Sequence, residues 1–231
     1  MILPHAKYYI LLGHYGSGKT ELALALARYL RAQSASRTVL VDMDIVNPYF
    51  RSAEQTDLLK SEGIEVLMPS FAMSTVDIPA LPADMQSIFV QDFAHVIMDV
   101  GGDDTGATVL GRYHPELLSV REQTKVLYVV NPLRPFCDNI SDIAELFRMI
   151  ESRARIKPDV LVNNANLQRQ TTVQDILDAQ KLLLEVSETL GIPIGMIAGE
   201  ERLRNELPSE LQDLFFPFVP VMKPDWLEDQ A

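Results

Sequence analysis

Short apolar runs recur along the chain and predict its strands. Each run is apolar at nearly every position instead of alternating, and such strands suit a parallel sheet that is covered on both faces. The runs are rich in β-branched residues, which also favours strands. The predicted strands are Tyr8–Leu12, Thr38–Asp42, His95–Val100, Lys125–Val130, Asp159–Val162 and Ile192–Ile197.

Good helix formers fill the intervals between these strands. The segment from Thr20 to Leu30 is apolar almost all the way round, so we expect a central, buried helix there. The predicted helices are Thr20–Arg31, Ser52–Ser61, Asp142–Arg153 and Thr172–Leu190. Alternating strands and helices predict an α/β, doubly wound, mainly parallel sheet, and 231 residues suit a single domain over 1–231.

Composition narrows the class of protein. Lys and Arg number 20 against 32 Asp and Glu, a net charge of −12 that disfavours binding to nucleic acid or to a membrane surface. Cys137 is the only cysteine, which excludes an internal disulfide and a C-x-x-C site within one chain. The sequence shows neither a signal-peptide pattern nor an apolar stretch long enough to span a bilayer, so we expect a cytoplasmic protein.

The residues between the first strand and the first helix carry a phosphate-binding motif. They read GHYGSGKT, which fits G-x-x-x-x-G-K-[ST] in the strand-to-helix setting that this motif requires. Its glycines let backbone N–H groups and the helix N-terminus surround an anion, which predicts nucleotide binding in a three-layer P-loop NTPase sandwich. The predicted nucleotide contacts here are Gly13, His14, Tyr15, Gly16, Ser17, Gly18, Lys19, Thr20 and Glu21.

Two side chains of the motif are expected to have distinct roles. Lys19 supplies a mobile positive charge to the β- and γ-phosphate oxygens. Thr20 offers its hydroxyl to Mg²⁺, an ion that prefers oxygen ligands and keeps some of its waters. The motif therefore predicts a nucleotide that binds together with Mg²⁺.

A second apolar strand ends in an acid and a glycine pair. Asp99 is predicted to hold Mg²⁺ or one of its waters, and the N–H group of Gly102 to sense the γ-phosphate. The alternative is that Asp99 only caps the turn after its strand. We expect Asp103 and Asp104, which follow directly, to face solvent and not the metal.

A third buried strand ends in Asp42-Met43-Asp44. The two carboxylates would share a face if the strand continued through Asp44, but we expect the chain to turn there, which would give them different tasks. One would bind a water of Mg²⁺ and the other would orient the attacking water. Acids in a loop near a turn are the alternative interpretation.

Together these three elements resemble the MinD/ParA-like group of P-loop ATPases, including the CobQ/CobB-type nucleotide-binding domains. The resemblance covers Tyr8 to about Ser209. It implies that Asp42 acts on Mg²⁺ through water, that Asp44 orients water, and that both assist Lys19 in catalysis. The metal-binding set it implies is Thr20, Asp99 and Asp42.

The resemblance also bears on the choice of nucleotide. In these ATPases the Asn that closes the next strand reads adenine, and Asn163 stands at that position. A GTPase would carry N-K-x-D, whose carboxylate pairs with guanine, whereas this run is Asn163-Asn164-Ala165-Asn166 and contains no acid. ATP is therefore favoured over GTP.

Position 14 departs from the pattern of the ParA-type proteins. They carry a lysine after the first P-loop glycine that reaches across a nucleotide-sandwich dimer, and His14 stands there in this chain. A neutral imidazole supplies no permanent charge, so dimerisation by the lysine mechanism is put in doubt. His14 is either a phosphate contact or a solvent-facing loop residue.

The function expected from the sequence is that of a slow ATPase, with ATP and Mg²⁺ bound at the P-loop. Its switch segments, Asp42–Arg51 and Asp99–Gly106, would couple hydrolysis to a protein client or to a homodimer. One alternative is a small-molecule kinase or a CobB/dethiobiotin-synthetase-like ligase, with Tyr49, Arg51 and Arg134 lining the acceptor pocket. The other is a nucleotide-binding regulator that does not hydrolyse.

Overall fold

Parallel strands form the centre of the molecule. The structure is a computed structural model and describes residues 6–33, 36–44, 53–68 and 83–220. In these residues eight strands pair in the order β3-β2-β4-β1-β5-β6-β7-β8, and all seven pairings are parallel. The strands are β1 Tyr8–Leu12, β2 Thr38–Met43, β3 Ile64–Leu67, β4 His95–Val100, β5 Thr124–Val130, β6 Val160–Asn163, β7 Ile194–Glu200 and β8 Phe215–Phe218.

Helices connect the strands and cover both faces of the sheet. In the same ranges they are α1 Lys19–Gln33, α2 Ala53–Ser61, α3 Ala83–Val90, α4 Asp104–Gly111, α5 His114–Ser119, α6 Ile140–Ala154, α7 Val173–Leu190 and α8 Ser209–Gln212. Two 3₁₀ turns, Arg121–Gln123 and Glu201–Glu206, lie between them. The doubly wound α/β fold predicted from the sequence is therefore confirmed.

Alternation along the strands divides the core into two layers. Leu40, Ile97 and Val162 pack on the face that is covered by α1, whereas residues of the opposite parity, such as Val41 and Leu161, pack with α6 and α7 on the other face. Helix α1 is buried along most of its length, as its apolar sequence predicts. Side chains that point to the α1 face at the ends of the strands near β1 therefore lie close to the start of α1.

The pattern of apolar runs located six strands and missed two. Strands β3 and β8 have only four residues each and lie at the two edges of the sheet. Strand β3 is partly exposed, and β8 contains Pro217, a residue that sheets tolerate at their edges. Neither segment therefore has the long apolar run of a central strand.

Helices α3, α4, α5 and α8 were also missed. Helix α4 contains Gly106 and Gly111, which weaken a helical pattern. Gly106 is required by packing, because a Cβ atom there would lie 2.5 Å from the Cα atom of Gly101. By contrast, α7 was predicted, and its start is fixed by a capping box that Thr172 and Asp175 form.

Among the described residues, no helix has the length and apolar character that a membrane span requires. The first predicted switch segment, Asp42–Arg51, is described only as far as Asp44. Tyr49 and Arg51 lie outside the described residues.

Candidate functional site

The loop between β1 and α1 has the conformation of a glycine-dependent cradle. Gly13, Gly16 and Gly18 have φ angles of 146°, 74° and 85°, which side chains other than glycine rarely adopt. A Cβ atom would lie 2.2 Å from the carbonyl oxygen of Val129 at Gly13, and 2.3 Å from Nδ2 of Asn164 at Gly18. Both the bend and its close packing therefore require glycine.

Lys19 begins α1 and places a buried cation at the base of this loop. Its side chain is 7% exposed, and its Nζ donates to the carbonyl oxygen of His14 at 3.1 Å. Burial lowers the pKa of Lys19, while the charges of Asp99, Asp44 and Asp103 oppose that shift. Among the described residues, none forms an ion pair with Lys19. An anion in the cradle would supply the missing partner.

Asp99, near the end of β4, presents a carboxylate to the start of α1. It is 1% exposed and accepts a hydrogen bond from the hydroxyl of Thr20, while its Oδ1 atom is buried without a hydrogen-bond partner. Burial raises the pKa of Asp99 to about 6, although the charge of Lys19 and the Thr20 hydroxyl act against this shift. A buried carboxylate oxygen without a partner is a group that a bound cation would satisfy.

These two side chains fit Mg²⁺ in the way that a P-loop protein would hold it. Thr20 and Asp99 offer oxygen atoms, which Mg²⁺ prefers. Within the described ranges, no group of three or more His, Cys, Asp or Glu residues is arranged to hold a metal without other ligands. The remaining ligands would have to come from phosphate oxygens and water.

Asp42 and Asp44 lie at the same edge of the sheet, Asp42 within β2 and Asp44 in the turn that follows it. Asp42 pairs in register with Asp99 across β2 and β4 and is 7% exposed. The strand ends at Met43, and the N–H group of Asp44 donates to Oδ1 of Asp42 at 2.9 Å, so the chain turns there as expected. Asp44 Oδ1 lies 3.4 Å from the position that a Cβ atom of Gly101 would take.

Gly102 lies directly against the P-loop. A Cβ atom on Gly102 would be 2.6 Å from the backbone nitrogen of Tyr15 and 2.7 Å from Nζ of Lys19. The glycine pair after β4 is thus adjacent to the cradle, where a γ-phosphate sensor would have to be.

The two acids that follow the glycine pair differ in their surroundings. Asp103 is the N-cap of α4, and its Oδ1 accepts from the N–H group of Gly106 at 2.8 Å. The side chain of Asp104 is 53% exposed and lies 3.8 Å from Arg153. Asp104 therefore faces solvent as expected, whereas Asp103 fixes the start of the helix.

Three other residues that were predicted to contact the nucleotide lie in the loop or in the first turn of α1. Burial and the charge of Lys19 both lower the pKa of His14, which favours its neutral imidazole. Tyr15 is 64% exposed. Glu21 lies half-buried in the first turn of α1, and its contact with the nucleotide stays a prediction.

The base-reading role implied for Asn163 is not favoured by its contacts. The side chain is fully buried, and Nδ2 donates to the carbonyl oxygen of Ile176 at 3.1 Å and to Oε1 of Gln180 at 3.0 Å. Its Oδ1 accepts from the N–H group of Ala165 at 3.1 Å. Both amide hydrogens are therefore committed inside the protein, and Asn163 ties β6 to α7.

The next residue, Asn164, contacts the P-loop, although the sequence did not single it out as a site residue. Its Nδ2 donates to the carbonyl oxygen of Ser17 in the P-loop at 2.7 Å, and its Oδ1 is buried without a hydrogen-bond partner. Adjacent residues on an extended chain point to opposite faces, so Asn164 shares the α1 face with Val162, and Asn163 does not. The alternation itself is visible in the sequence, but it selects Asn164 only once the face that α1 covers is known.

Glu200, at the end of β7, lies on the neighbouring strand. Its Oε2 accepts from Arg202 at 3.2 Å, while its Oε1 is buried without a hydrogen-bond partner. Arg202 also donates to the carbonyl oxygens of Arg169 and Thr171 at 3.1 and 2.8 Å. The loops after β6 and β7 are thereby held together beside Asn164.

The fold is similar to that of several solved structures. FtsY from Mycoplasma mycoides has a TM-score of 0.50 at 18% identity, over 83% of this chain and 59% of that chain. FlhF complexed with GTP and Mg²⁺ gives 0.53 at 15%, over 88% and 69%. The signal recognition particle 54 kDa protein from Aeropyrum pernix in complex with GDP gives 0.53 at 19%, over 85% and 42%. No protein-family model and no curated protein matches the chain.

These similarities define the fold as that of the P-loop NTPases, the class that the sequence predicted. The chain spans about three fifths of the length of the FtsY protein above. Resemblance to the narrower MinD/ParA-like group stays a prediction.

Asp99→Asn is expected to stabilise the nucleotide-free protein. Because the pKa of Asp99 is raised, its protonation favours the fold, and that contribution is lost as the pH rises through about 6. Asn is neutral and can still accept from Thr20, so it should raise the free energy of unfolding at pH 7.5 by about 3 kcal/mol. Urea denaturation with EDTA should show this gain shrinking towards pH 5.

The exposed Glu188→Gln on α7 serves as the control, because it also removes one carboxylate charge. A destabilised Asp99→Asn variant, or a gain that does not depend on pH, would contradict this account of Asp99.

Proposed function

We propose that the chain binds a nucleoside triphosphate with Mg²⁺ at the P-loop and hydrolyses it slowly, with ATP as the preferred nucleotide. The observation that carries this proposal is the buried ammonium group of Lys19, which has no ion-pair partner among the described residues and stands beside the unpartnered carboxylate oxygen of Asp99. An anion and a cation bound together would satisfy both groups. A Mg²⁺-bound triphosphate brings both.

The proposal assigns roles in this reaction to the glycine loop, to Lys19 and Thr20, and to the acids at the ends of β2 and β4. Backbone N–H groups of the glycine loop surround the β-phosphate, and Lys19 exchanges the carbonyl oxygen of His14 for phosphate oxygens. Thr20 and Asp99 hold Mg²⁺, with Asp42 acting through a water. When bound, Mg²⁺ neutralises charge on the phosphates.

Hydrolysis needs a group that orients water at the end of the triphosphate. Asp44 is proposed for this task, because its carboxylate lies near Gly101, on the side of the cradle where Gly102 meets Lys19. The alternative is a regulator that binds nucleotide without hydrolysing it.

The proposal includes partners as well. The segments after Asp42 and Asp99 would respond to the γ-phosphate and act on a protein client or a homodimer, as the resemblance to the MinD/ParA-like group implies. Tyr15 supports a protein partner, because it is an exposed aromatic side chain next to Gly102. Residues 1–231 would form one nucleotide-binding domain.

Preference for ATP is supported by the residues around the expected base site. Asn164 stands against the P-loop with a free Oδ1, and no acid occurs from Asn163 to Gln170 to pair with guanine in the usual way. GTP is the main alternative, because FlhF was solved with GTP and because Glu200 offers a buried carboxylate oxygen on the next strand.

Lys19→Ala should weaken binding of Mg²⁺ and a non-hydrolysable ATP analogue by at least about 100-fold, because it removes the ammonium group that is buried at the base of the cradle. Isothermal titration calorimetry measures this loss. Lys181→Ala is the matched control, since Lys181 is exposed on α7 and pairs with Asp178. Unchanged affinity in the Lys19→Ala variant would refute the assignment of the cradle.

In competition titrations, ATP should bind at least about tenfold more tightly than GTP. Asn164→Ala should weaken both nucleotides by about tenfold, because the carbonyl oxygen of Ser17 loses its donor and the loop loses its anchor. The exposed Asn205→Ala should change neither affinity. Equal or tighter binding of GTP would contradict the preference for ATP.

Asp44→Ala should lower phosphate release by about 100-fold or more, while affinity for the ATP analogue stays within about threefold of wild type. This separation is expected because Asp44 acts on water and not on the bound phosphates. A wild-type protein that binds ATP but releases no phosphate, with or without client, would favour the non-hydrolysing regulator instead.

A further inference from the structure

Arg134, in the loop after β5, lies over the open side of the P-loop. Its Nε and Cδ atoms are 3.9 and 4.0 Å from the position that a Cβ atom of Gly16 would take. Gly16 directly follows Tyr15, whose backbone nitrogen adjoins Gly102. Arg134 and Gly102 therefore flank the same bend, and the bend is the part of the cradle nearest the expected γ-phosphate.

The loop that carries Arg134 is held in place by its own hydrogen bonds. Asn131 is 2% exposed, and its Oδ1 accepts from the N–H groups of Leu133 and Asn166 at 3.1 and 3.3 Å. Two consecutive turns follow, in which Arg134 donates to Asn131 and Cys137 donates to Arg134, each through backbone atoms at 3.1 Å. Cys137 is buried at the far end. The backbone at Arg134 is thus fixed before any ligand binds.

The guanidinium group of Arg134 has no hydrogen-bond or ion-pair partner among the described residues. Arg28, Arg37 and Arg121 each form a close ion pair with a carboxylate, at 2.6 to 2.9 Å. Within the described ranges, Arg134 forms neither an ion pair nor a side-chain hydrogen bond, although the protein carries a net charge of −12. Its five donors are available to a ligand at the bend.

The charges around the cradle are mainly negative, so a bound triphosphate would require a positive group in addition to Lys19. The carboxylates of Asp99, Asp44 and Asp103 all act on Lys19, and the neutral imidazole of His14 does not offset them. A triphosphate adds more negative charge than Lys19 and one Mg²⁺ ion neutralise, and the γ-phosphate carries a larger share of it than either other phosphate.

We propose that Arg134 is a catalytic residue that contacts the triphosphate from within the same chain, at the oxygen that bridges the β- and γ-phosphates. This inference rests on the proposed function. Water attacks the γ-phosphorus, and the bond from phosphorus to the bridging oxygen breaks, leaving its electron pair on the diphosphate. The proton lost by the water remains with inorganic phosphate or solvent. Arg134 stabilises the charge that develops on the bridging oxygen and is unchanged by the reaction.

The test compares Arg134→Ala and Arg134→Lys with Arg148→Ala, an exposed arginine on α6 that serves as the matched control. Single-turnover hydrolysis of saturating ATP should fall by at least about 100-fold in Arg134→Ala and by less in Arg134→Lys, which keeps the charge but not the planar donor fork. Affinity for ADP should stay within about twofold of wild type in all three.

Two further measurements separate a contact in the transition state from a structural effect. Wild type should retain ADP with aluminium fluoride, and Arg134→Ala should lose this complex. Guanidinium chloride at a non-denaturing concentration should restore part of the hydrolysis rate to Arg134→Ala and leave Arg148→Ala unchanged.

Hydrolysis in Arg134→Ala at the wild-type rate would overturn the inference, as would equal losses of ATP and ADP affinity. A wild-type chain that binds ATP but neither hydrolyses it nor retains ADP with aluminium fluoride would also overturn it, while leaving nucleotide binding intact. A wild-type chain that binds neither ATP nor GTP would instead refute the proposed function itself, and the inference with it.

Discussion

The site depends on a cation that the fold has taken out of water. Lys19 is fixed by the first turn of α1, covered by the glycine loop, and held by the carbonyl oxygen of His14 in the absence of a phosphate. Burying an ammonium group is costly unless nearby charges compensate it, and the acids at the ends of β2 and β4 supply only part of that compensation. The glycine conformations, the acids and the adjacent Gly102 are arranged around this group.

Side chains alternate between the two faces of a strand, and this alternation decides which of them point towards the start of α1. Asp42, Asp99 and Asn164 each follow, by two positions, a residue that packs against α1, and therefore point towards the start of that helix. Asn163 has the opposite parity and is directed to α7. A parallel sheet brings these strand ends to one edge, so polar groups that are distant in sequence assemble there without long loops.

The sequence predicted most of the centre of the fold and most of the candidate site. Long apolar runs located the central strands, and the motif placed Lys19 and Thr20 at the start of the first helix, because strand, loop and helix follow one another in the chain. The edge strands β3 and β8 escaped detection, since β3 has only four residues and is partly exposed, and the four residues of β8 include Pro217. Asn164 could not be chosen over Asn163 without knowing which face α1 covers.

The hydrogen bond from Asn164 to Ser17 joins residues that are 147 positions apart in the chain. During synthesis, β1 and the glycine loop leave the ribosome long before β6 exists, so the loop emerges without the side chain that later anchors it. The cradle can reach its final shape only after the sheet has added β5 and β6 to β1. A ligand that requires the anchored shape of the loop would therefore bind only after the residues up to Asn164 have been synthesised.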